Sequence, residues 1–536
     1  MSGENLPPEP SRHSDAVAEP LPRSSALLLL GALLIAGGLL RLVGLSYPPY
    51  DSHSFRQAET LSTAEAFYRN GIDILHPATI YEGYPGTFVL ELPLFQALVA
   101  SLYRAFGPHI EILRLLNILF GAGTAWVLYR ITRLFLDRTT AVFAVAIYAM
   151  APVNILYQRS TLIDPAAVFC ALTAFYCMAL LLSPENSAGP PRSPGGRWLC
   201  FAAFATTSWL AVMIKALYLW PAVLLFAQAW LARRFKWNAW MIRVLAWFAL
   251  SGVCFLAWNH YAARVNDASL FTRGVRPTSL LGMSALLSPE FYRGQIIQRP
   301  KVWLGIPGAV LYLVGLWAAW RDRSKWRSTS MALLILIPPT YLLVFSNINK
   351  PHDYYQLIIT PFLSIVAGYG LRRILAQGAL AEARASARLA AAGAVGLLVA
   401  AGVFTYLVWF HMPRRDAQRE RLEQLCAGKV QPWAPGMVFV AYQISGAPLH
   451  QDVPEFLYAA KLWGYGRTVA SVADAKLLFD KFAPAFPRLD SVVFYGTDCP
   501  AWMPAKQFRL AVMDDRNRFY LFQSQGLGLP RRAGGL

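Results

Sequence analysis

Charge is what this chain has least of: of 536 residues 15% are Asp, Glu, Lys or Arg, while 56% are hydrophobic. That leaves too little polar surface to cover a soluble globule of this size. Acidic side chains are the scarcer class, 30 against 49 Lys and Arg, and the formal charge of +19 raises the question of nucleic acid. The basic residues, however, come as short clusters between apolar runs, as positive-inside loops do, and no nucleic-acid module is visible. Cysteine is also sparse. Of the six, Cys170, Cys177, Cys200 and Cys254 fall inside apolar runs, which leaves Cys426 and Cys499 as a candidate disulfide in an oxidising compartment. His53, His76 and His260 do not follow zinc-ligand spacing. There is no internal repeat of the kind that paired-half transporters carry.

The first apolar run, residues 25–45, is long enough to cross a bilayer, and no small-residue cleavage site follows it. It reads as a retained signal anchor behind a Pro-rich, disordered cytoplasmic tail over residues 1–24. Further runs lie at 91–106, 112–134, 141–157, 165–182, 198–213, 216–231, 244–258, 302–320, 331–345, 357–371 and 389–410. Four basic clusters set their parity, because all should share the cytoplasmic side: Arg130, Arg133 and Arg138; Arg233, Arg234 and Lys236; Arg321, Arg323, Lys325 and Arg327; Arg372, Arg373, Arg384 and Arg388. They do so if residues 91–106, a short run with Pro93 near its start, lie along or dip into the interface. The expectation is an α-helical polytopic protein of about eleven spans, with a membrane domain over residues 25–411.

Two outer loops then carry most of the remaining chemistry, at 46–111 and 262–301. In the first, Phe55, Ala58, Leu61, Ala64 and Tyr68 recur at helical spacing while Arg56, Glu59, Thr63 and Arg69 point elsewhere, which predicts an amphipathic helix at the membrane surface. The second holds Arg264, Arg273, Arg276, Arg293 and Arg299, an outer basic loop that points to an anionic partner. Residues 412–536 lose the hydropathy and alternate strand-like runs (437–442, 491–495, 508–512, 519–522) with helical ones (453–462, 472–482). They predict a small extracytoplasmic α/β domain.

Two aspartates stand at the outer ends of spans: Asp51 in Pro48-Pro-Tyr-Asp-Ser-His-Ser-Phe-Arg-Gln57 and Asp164 in Leu162-Ile-Asp-Pro165. Carboxylates near hydrocarbon are costly and mark candidate sites. Blander roles stay open: Asp164 as a helix N-cap before proline, Asp51 as a turn residue, Glu91 as a complement to a helix dipole, Lys215 as a snorkelling lysine, and His352 with its tyrosines as an interfacial belt.

The order of Asp51 after the first span, Glu91-Leu-Pro-Leu94, Leu162-Ile-Asp-Pro165, Lys215 and Lys350-Pro-His-Asp-Tyr-Tyr-Gln-Leu357 resembles the membrane glycosyltransferases of the C-type fold. Within them it is similar to the protein mannosyltransferase and lipid A aminoarabinose transferase group, over about residues 41–370. The resemblance implies an enzyme of the bacterial inner membrane with its site and C-terminal domain on the extracytoplasmic side. It would move a sugar from a polyprenyl-phosphate donor, with inversion, to a lipid, glycan or protein, as in lipopolysaccharide modification or protein glycosylation. It also implies Asp51 as base with Asp164 beside it, and Lys215 and Arg56 near the lipid phosphate. A divalent metal ion would sit on Glu91 and a second-loop histidine, here His260. The chain departs from the aminoarabinose transferases in having Asp51-Ser52 and Glu91-Leu92-Pro93 where they have Asp-Glu and Glu-Lys-Pro.

The chemistry asks for these residue types. A polyprenyl phosphate leaves readily once its growing charge is stabilised, a task for Arg56, Lys215 and the hydroxyls of Tyr354 and Tyr355, with His352 between. A carboxylate on the opposite face of the sugar can take the proton of the incoming group. Two close carboxylates would raise the basicity of one. Competing readings are a surface-polysaccharide polymerase or ligase, a lipid-linked-sugar transporter, and a non-catalytic assembly subunit.

Overall fold

The computed structural model describes residues 22–84, 86–183, 193–269, 284–322, 329–350, 352–378, 417–445 and 451–525, with residues 396, 400, 404 and 449. The apolar run at 389–410, the arginines at 273, 276, 384 and 388, and the residues 323, 325 and 327 of the third basic cluster lie outside the described residues apart from those single positions.

Apolar runs become helices where proline, aspartate or glycine punctuates them. The membrane region is α1 (Arg23–Leu42), α4 (Ile110–Phe135), α5 (Arg138–Met150), α6 (Pro152–Tyr157), α7 (Asp164–Leu182), α8 (Pro194–Lys215), α9 (Trp220–Ala232), α10 (Ala239–Ala268), α11 (Gly305–Arg321), α12 (Thr329–Val344) and α13 (Thr360–Gly378). The first outer loop supplies α2 (Ser54–Asn70) and α3 (Leu94–Phe106). Among the described residues five stretches are long and apolar enough to cross a membrane: Ser24–Leu42, Ile110–Phe135, Asp164–Leu182, Pro194–Ala232 and Ala239–Ala268. The predicted run at 141–157 breaks at Pro152, and α8 stops at Lys215, where the backbone leaves helical geometry (φ −155°, ψ 83°). Small residues bring helices close. A Cβ at Gly315 would lie 2.0 Å from the carbonyl oxygen of Val366, and one at Gly370 would lie 2.4 Å from that of Leu311, so α11 and α13 cross in backbone contact.

The basic clusters gather at one end of this bundle. Arg372 pairs with Asp137, which also caps α5 through Thr140 N, while Arg373 pairs with Asp322 and Arg233 donates to the carbonyl of Leu182 at the end of α7. Asp164 begins α7, so it and the first outer loop stand at the opposite end.

The helix α2 corrects the prediction of an amphipathic surface helix. Residues from Gln57 to Phe67 are buried on every side, because the face opposite the membrane bundle is covered by protein rather than by water or headgroups. What covers it is the C-terminal domain: α14 (Ala417–Cys426), β1 (Ala434–Ala441), α15 (Pro454–Ala460), β2 (Leu462–Val469), α16 (Val472–Phe482), β3 (Ser491–Tyr495), β4 (Phe508–Asp514) and β5 (Phe519–Ser524). The sheet order is β2-β1-β3-β5-β4, with β1 parallel to β2 and β3, and the remaining pairs antiparallel. The two parallel crossovers run through α15 and α16, so both sheet faces are covered and β1 is buried along its whole length. Met437 and Phe439 point to one core, with Phe479 and Phe494. Val438 and Val440 point to the other, which takes in Leu457 and Val493 together with Tyr50, Ala66, Ile80, Tyr81 and Phe88 of the first outer loop. The outer loop and the C-terminal domain therefore share one core.

Backbone pairing adds to this union. Gly464 N donates to Ile80 O and Gly83 N to Gly464 O, each at 2.7 Å, so the loop extends the edge strand β2. Sequence reading misses β2, because Gly464 and Gly466 dilute its strand signal; Gly464 is required where a Cβ would come 2.0 Å from Gly436 O. Cys426 is buried and Cys499 exposed, and both are free thiols, so the candidate disulfide is not formed.

At this seam Glu82 is buried beside Asp452, which pairs with Arg467 at 2.9 Å. Burial first, and the Asp452 charge second, push the Glu82 carboxyl from 4.5 up to about 9. Between those values the folded protein holds a proton that the unfolded chain lacks, so this group's contribution is full below the lower value and is lost as pH rises towards the upper. Thermal unfolding in detergent from pH 5 to 9 is expected to show Tm falling with pH in the unaltered protein and falling less in Glu82→Gln; equal slopes would refute the assignment.

Candidate functional site

Above the head of the bundle lies a cavity of about 940 Å³. Its wall takes His53, Phe55 and Arg56 from the start of α2, Leu90 and Glu91 from the loop before α3, Met213 to Leu217 from the α8–α9 turn, Phe255, Trp258 and His260 from α10, and Ile348, His352, Tyr354 and Tyr355 from the segment before α13. Gln451 of the C-terminal domain completes it. Much of this lining is apolar, with the polar groups concentrated on a few residues.

Lys215 owes its place to the break that ends α8. Its buried ammonium lies 3.9 Å from Asp164 Oδ1, 4.1 Å from the ring centre of Tyr355 and 5.4 Å from that of Tyr354. The snorkelling role is thereby excluded. Asp164 is not an N-cap either: it is the first residue of α7, makes no capping bond, and accepts a hydrogen bond from Tyr218 Oη at 2.5 Å.

Arg56 stands between two carboxylates, donating to Glu59 one turn on and to Glu91 Oε1, the latter at 2.6 Å. Burial opposes ionisation of Glu91, yet Arg56 and then Lys215 outweigh it and hold this carboxyl below its usual range. Burial pushes Glu59 up, aided by Glu91 and against the pull of Arg56. Glu91 is thus an ion-pair partner rather than a mere complement to a helix dipole.

Those pairs also decide the metal question. Glu91 is committed to Arg56 and faces a second cation in Lys215, and His260 lines the same cavity. Among the described residues no three His, Cys, Asp or Glu side chains converge, so the donors do not fit a divalent ion.

Asp51 and Asp164 bond to different partners. Asp51 accepts from buried Arg159 Nη2 at 3.1 Å through one oxygen and from Gln57 Nε2 through the other, and neither aspartate is part of the cavity wall. Their chain segments do meet: Gln57 Oε1 accepts from Thr161 N at 3.1 Å, three residues before Asp164. Each carboxylate nevertheless has its own cation, Arg159 for Asp51 and Lys215 for Asp164.

The residues that sequence reasoning missed surround His53. This residue sits in the left-handed region (φ 56°) at the start of α2, and its Nε2 lies 2.7 Å from Asp353 Oδ1, an oxygen that also accepts from Tyr157 Oη at 2.5 Å. Burial opposes ionisation of Asp353, but the His53 bond and charge, the Tyr157 hydroxyl and Arg299 hold its pKa at about 2. Burial, then His53, Lys215 and Arg56, lower His352 to about 4, so it is neutral near pH 7 and is no phosphate-gripping cation. The signal for the pair was present in Asp51-Ser-His53 and Pro351-His-Asp353, but 300 residues separate its halves.

Comparison with known proteins agrees with this architecture. Residues 96–266 match the family model for dolichyl-phosphate-mannose-protein mannosyltransferases. No curated protein matches this chain significantly. Among solved structures, ArnT from Cupriavidus metallidurans in the apo state superposes with a TM-score of 0.63 at 14% identity, over 93% of this chain and 98% of that one. The same protein bound to undecaprenyl phosphate gives 0.58 at 14% identity over 94% and 98%. The Archaeoglobus fulgidus oligosaccharyltransferase gives 0.55 at 12% identity over 87% and 69%. Mycobacterial arabinofuranosyltransferase AftD gives 0.53 at 14% identity over 94% and 40%. With a helix bundle, a C-terminal mixed-sheet domain and this family signature over residues 96–266, the chain is a multi-pass membrane glycosyltransferase of the C-type fold, similar in that stretch to the protein mannosyltransferases.

Proposed function

We propose that the protein takes a sugar from a polyprenyl-phosphate donor at the outer face of a bacterial inner membrane and transfers it, with inversion, to a lipid, glycan or protein acceptor. The observation that carries this reading is the wall of the cavity, where Lys215, Arg56 and the Tyr354–Tyr355 pair form a cationic, hydroxyl-bearing end in an otherwise largely apolar lining. Such an end suits a phosphate on a lipid: it stabilises the charge that develops as the C1–O bond breaks. Binding of undecaprenyl phosphate by the structurally similar ArnT supports the same class of donor. A transporter would carry its ionisable groups at mid-depth, whereas here they stand at the head of the bundle. The arginines Arg264, Arg293 and Arg299 of the second outer loop favour an acceptor with negative charge.

Lys215 is the cation to test. Arg56 is committed to two carboxylates, and its removal strands both; Arg56→Ala is expected to cost about 3–5 kcal/mol of stability, read as a lowered unfolding temperature in detergent and reduced in the Arg56→Ala, Glu59→Gln double variant. Lys215→Ala is expected to weaken binding of undecaprenyl phosphate by about 10- to 100-fold, the equivalent of one charge-assisted hydrogen bond, measured at a temperature where the variant is folded, because buried Asp164 keeps its tyrosine donor but loses its cation. Undiminished binding by this variant would count against the phosphate end. Mass spectrometry of envelope lipids, glycans and proteins from a deletion strain identifies the acceptor, and an unchanged profile under expressing conditions would sink the proposal.

A further inference from the structure

We propose that the group accepting the acceptor's proton is His53, oriented by Asp353, and that Asp51 is a positioning residue which fixes the turn that presents it. This rests on the transfer reaction proposed above, and concerns which side chain carries the proton.

Four observations lead there. First, His53 is part of the cavity wall and Asp51 is not. Second, Asp51 has both oxygens engaged within the protein, one by buried Arg159 and the other by Gln57. Third, the imidazole is held in the manner of a base with an orienting acid: Asp353 takes Nε2, and Tyr157 fixes the same carboxylate oxygen. Held so, Nε2 carries the ring proton and Nδ1 carries the lone pair. Fourth, His53 is a non-glycine residue at φ 56°, a conformation that costs energy and that clusters at working sites. The surroundings allow a division of labour. His53 meets the edge of Tyr354 with 4.7 Å between ring centres, Tyr354 lies 4.7 Å from Tyr355, and Lys215 lies over Tyr355. The tyrosine pair thus stands between an imidazole end and an ammonium end.

The step balances without a further reactant. The acceptor O–H gives its proton to Nδ1 of His53, and its oxygen forms a bond to the anomeric carbon. The bond from that carbon to the phosphate oxygen breaks, and its electron pair departs with the polyprenyl phosphate towards Lys215. The imidazolium, stabilised by Asp353, afterwards releases its proton to solvent. The titratable groups facing His53 are Asp353, Tyr157, His352 and Tyr354, with Arg56 one turn along α2.

The test uses the full-length protein in detergent or vesicles. Glycine accepts φ 56° without strain, so His53→Gly keeps the turn and leaves a hole. It is expected to bind undecaprenyl phosphate normally, to lose at least about 100-fold in transfer, and to regain rate with added imidazole. Asp353→Asn is expected to lower kcat with KM little changed, a split that a merely structural role would not give. Asp51→Ala is expected to lose activity without recovery by formate or azide. Transfer by His53→Gly within about threefold of the unaltered rate, or recovery of Asp51→Ala by formate where His53→Gly ignores imidazole, would return the role to Asp51. Failure of the unaltered protein to bind undecaprenyl phosphate would instead remove the donor reading, and this assignment with it.

Discussion

Each carboxylate at the head of the helix bundle is neutralised by a cation or donor from a distant stretch of chain, and the site depends on that pairing. Asp51 answers to Arg159, Asp164 to Lys215 and Tyr218, Glu91 to Arg56, and Asp353 to His53. An unpaired charge this close to hydrocarbon would cost several kcal/mol. The pairs therefore act as clasps: none forms until α2, the α7 and α8 ends and the segment before α13 have come together. What a single stretch of sequence offers as a motif becomes a site through these long-range partners.

The same requirement explains the C-terminal domain. The first outer loop holds several of these ionisable groups and must be rigid, yet it is too short to bury a core of its own. It borrows one, for Tyr50, Ala66, Ile80 and Phe88 pack with Val438, Leu457 and Val493, and its backbone extends β2. The helix carrying His53 and Arg56 is thereby clamped between membrane bundle and sheet, and Gln451 brings the C-terminal domain to the cavity itself. A domain that adds no family motif still fixes the geometry of the site.

How far the sequence reveals this depends on the range of each interaction. Hydropathy and loop charge are local, and they place the helices, the grouping of basic ends and the position of α2. The environment of α2 is not local: its polar face looks like one meant for water because nothing nearby in sequence shows that a sheet from residues 434–524 will cover it. Arg159 has the same disguise. In Gln158-Arg-Ser160 it reads as one more arginine at a span end, and only the fold shows its bond to Asp51, 108 residues away. The glycines of β2 suppress a strand signal for the very reason the strand exists, a backbone contact that no side chain could fit.

The physical distinction that matters most at this site is between a charge that is stored and one that is available. A carboxylate locked to a buried guanidinium, as Asp51 is to Arg159, joins two stretches of chain. An imidazole set against a carboxylate is different, because one ring nitrogen is held by the carboxylate while the other is left to receive a proton. A phosphate end has the opposite need, a cation that keeps its charge throughout, which the Lys215 ammonium meets while resting on aromatic faces. One cavity can therefore keep proton uptake and charge stabilisation apart over the width of two tyrosine rings, and the bonds around Asp51 and His53 indicate which of the two neighbours holds the turn and which meets the substrate.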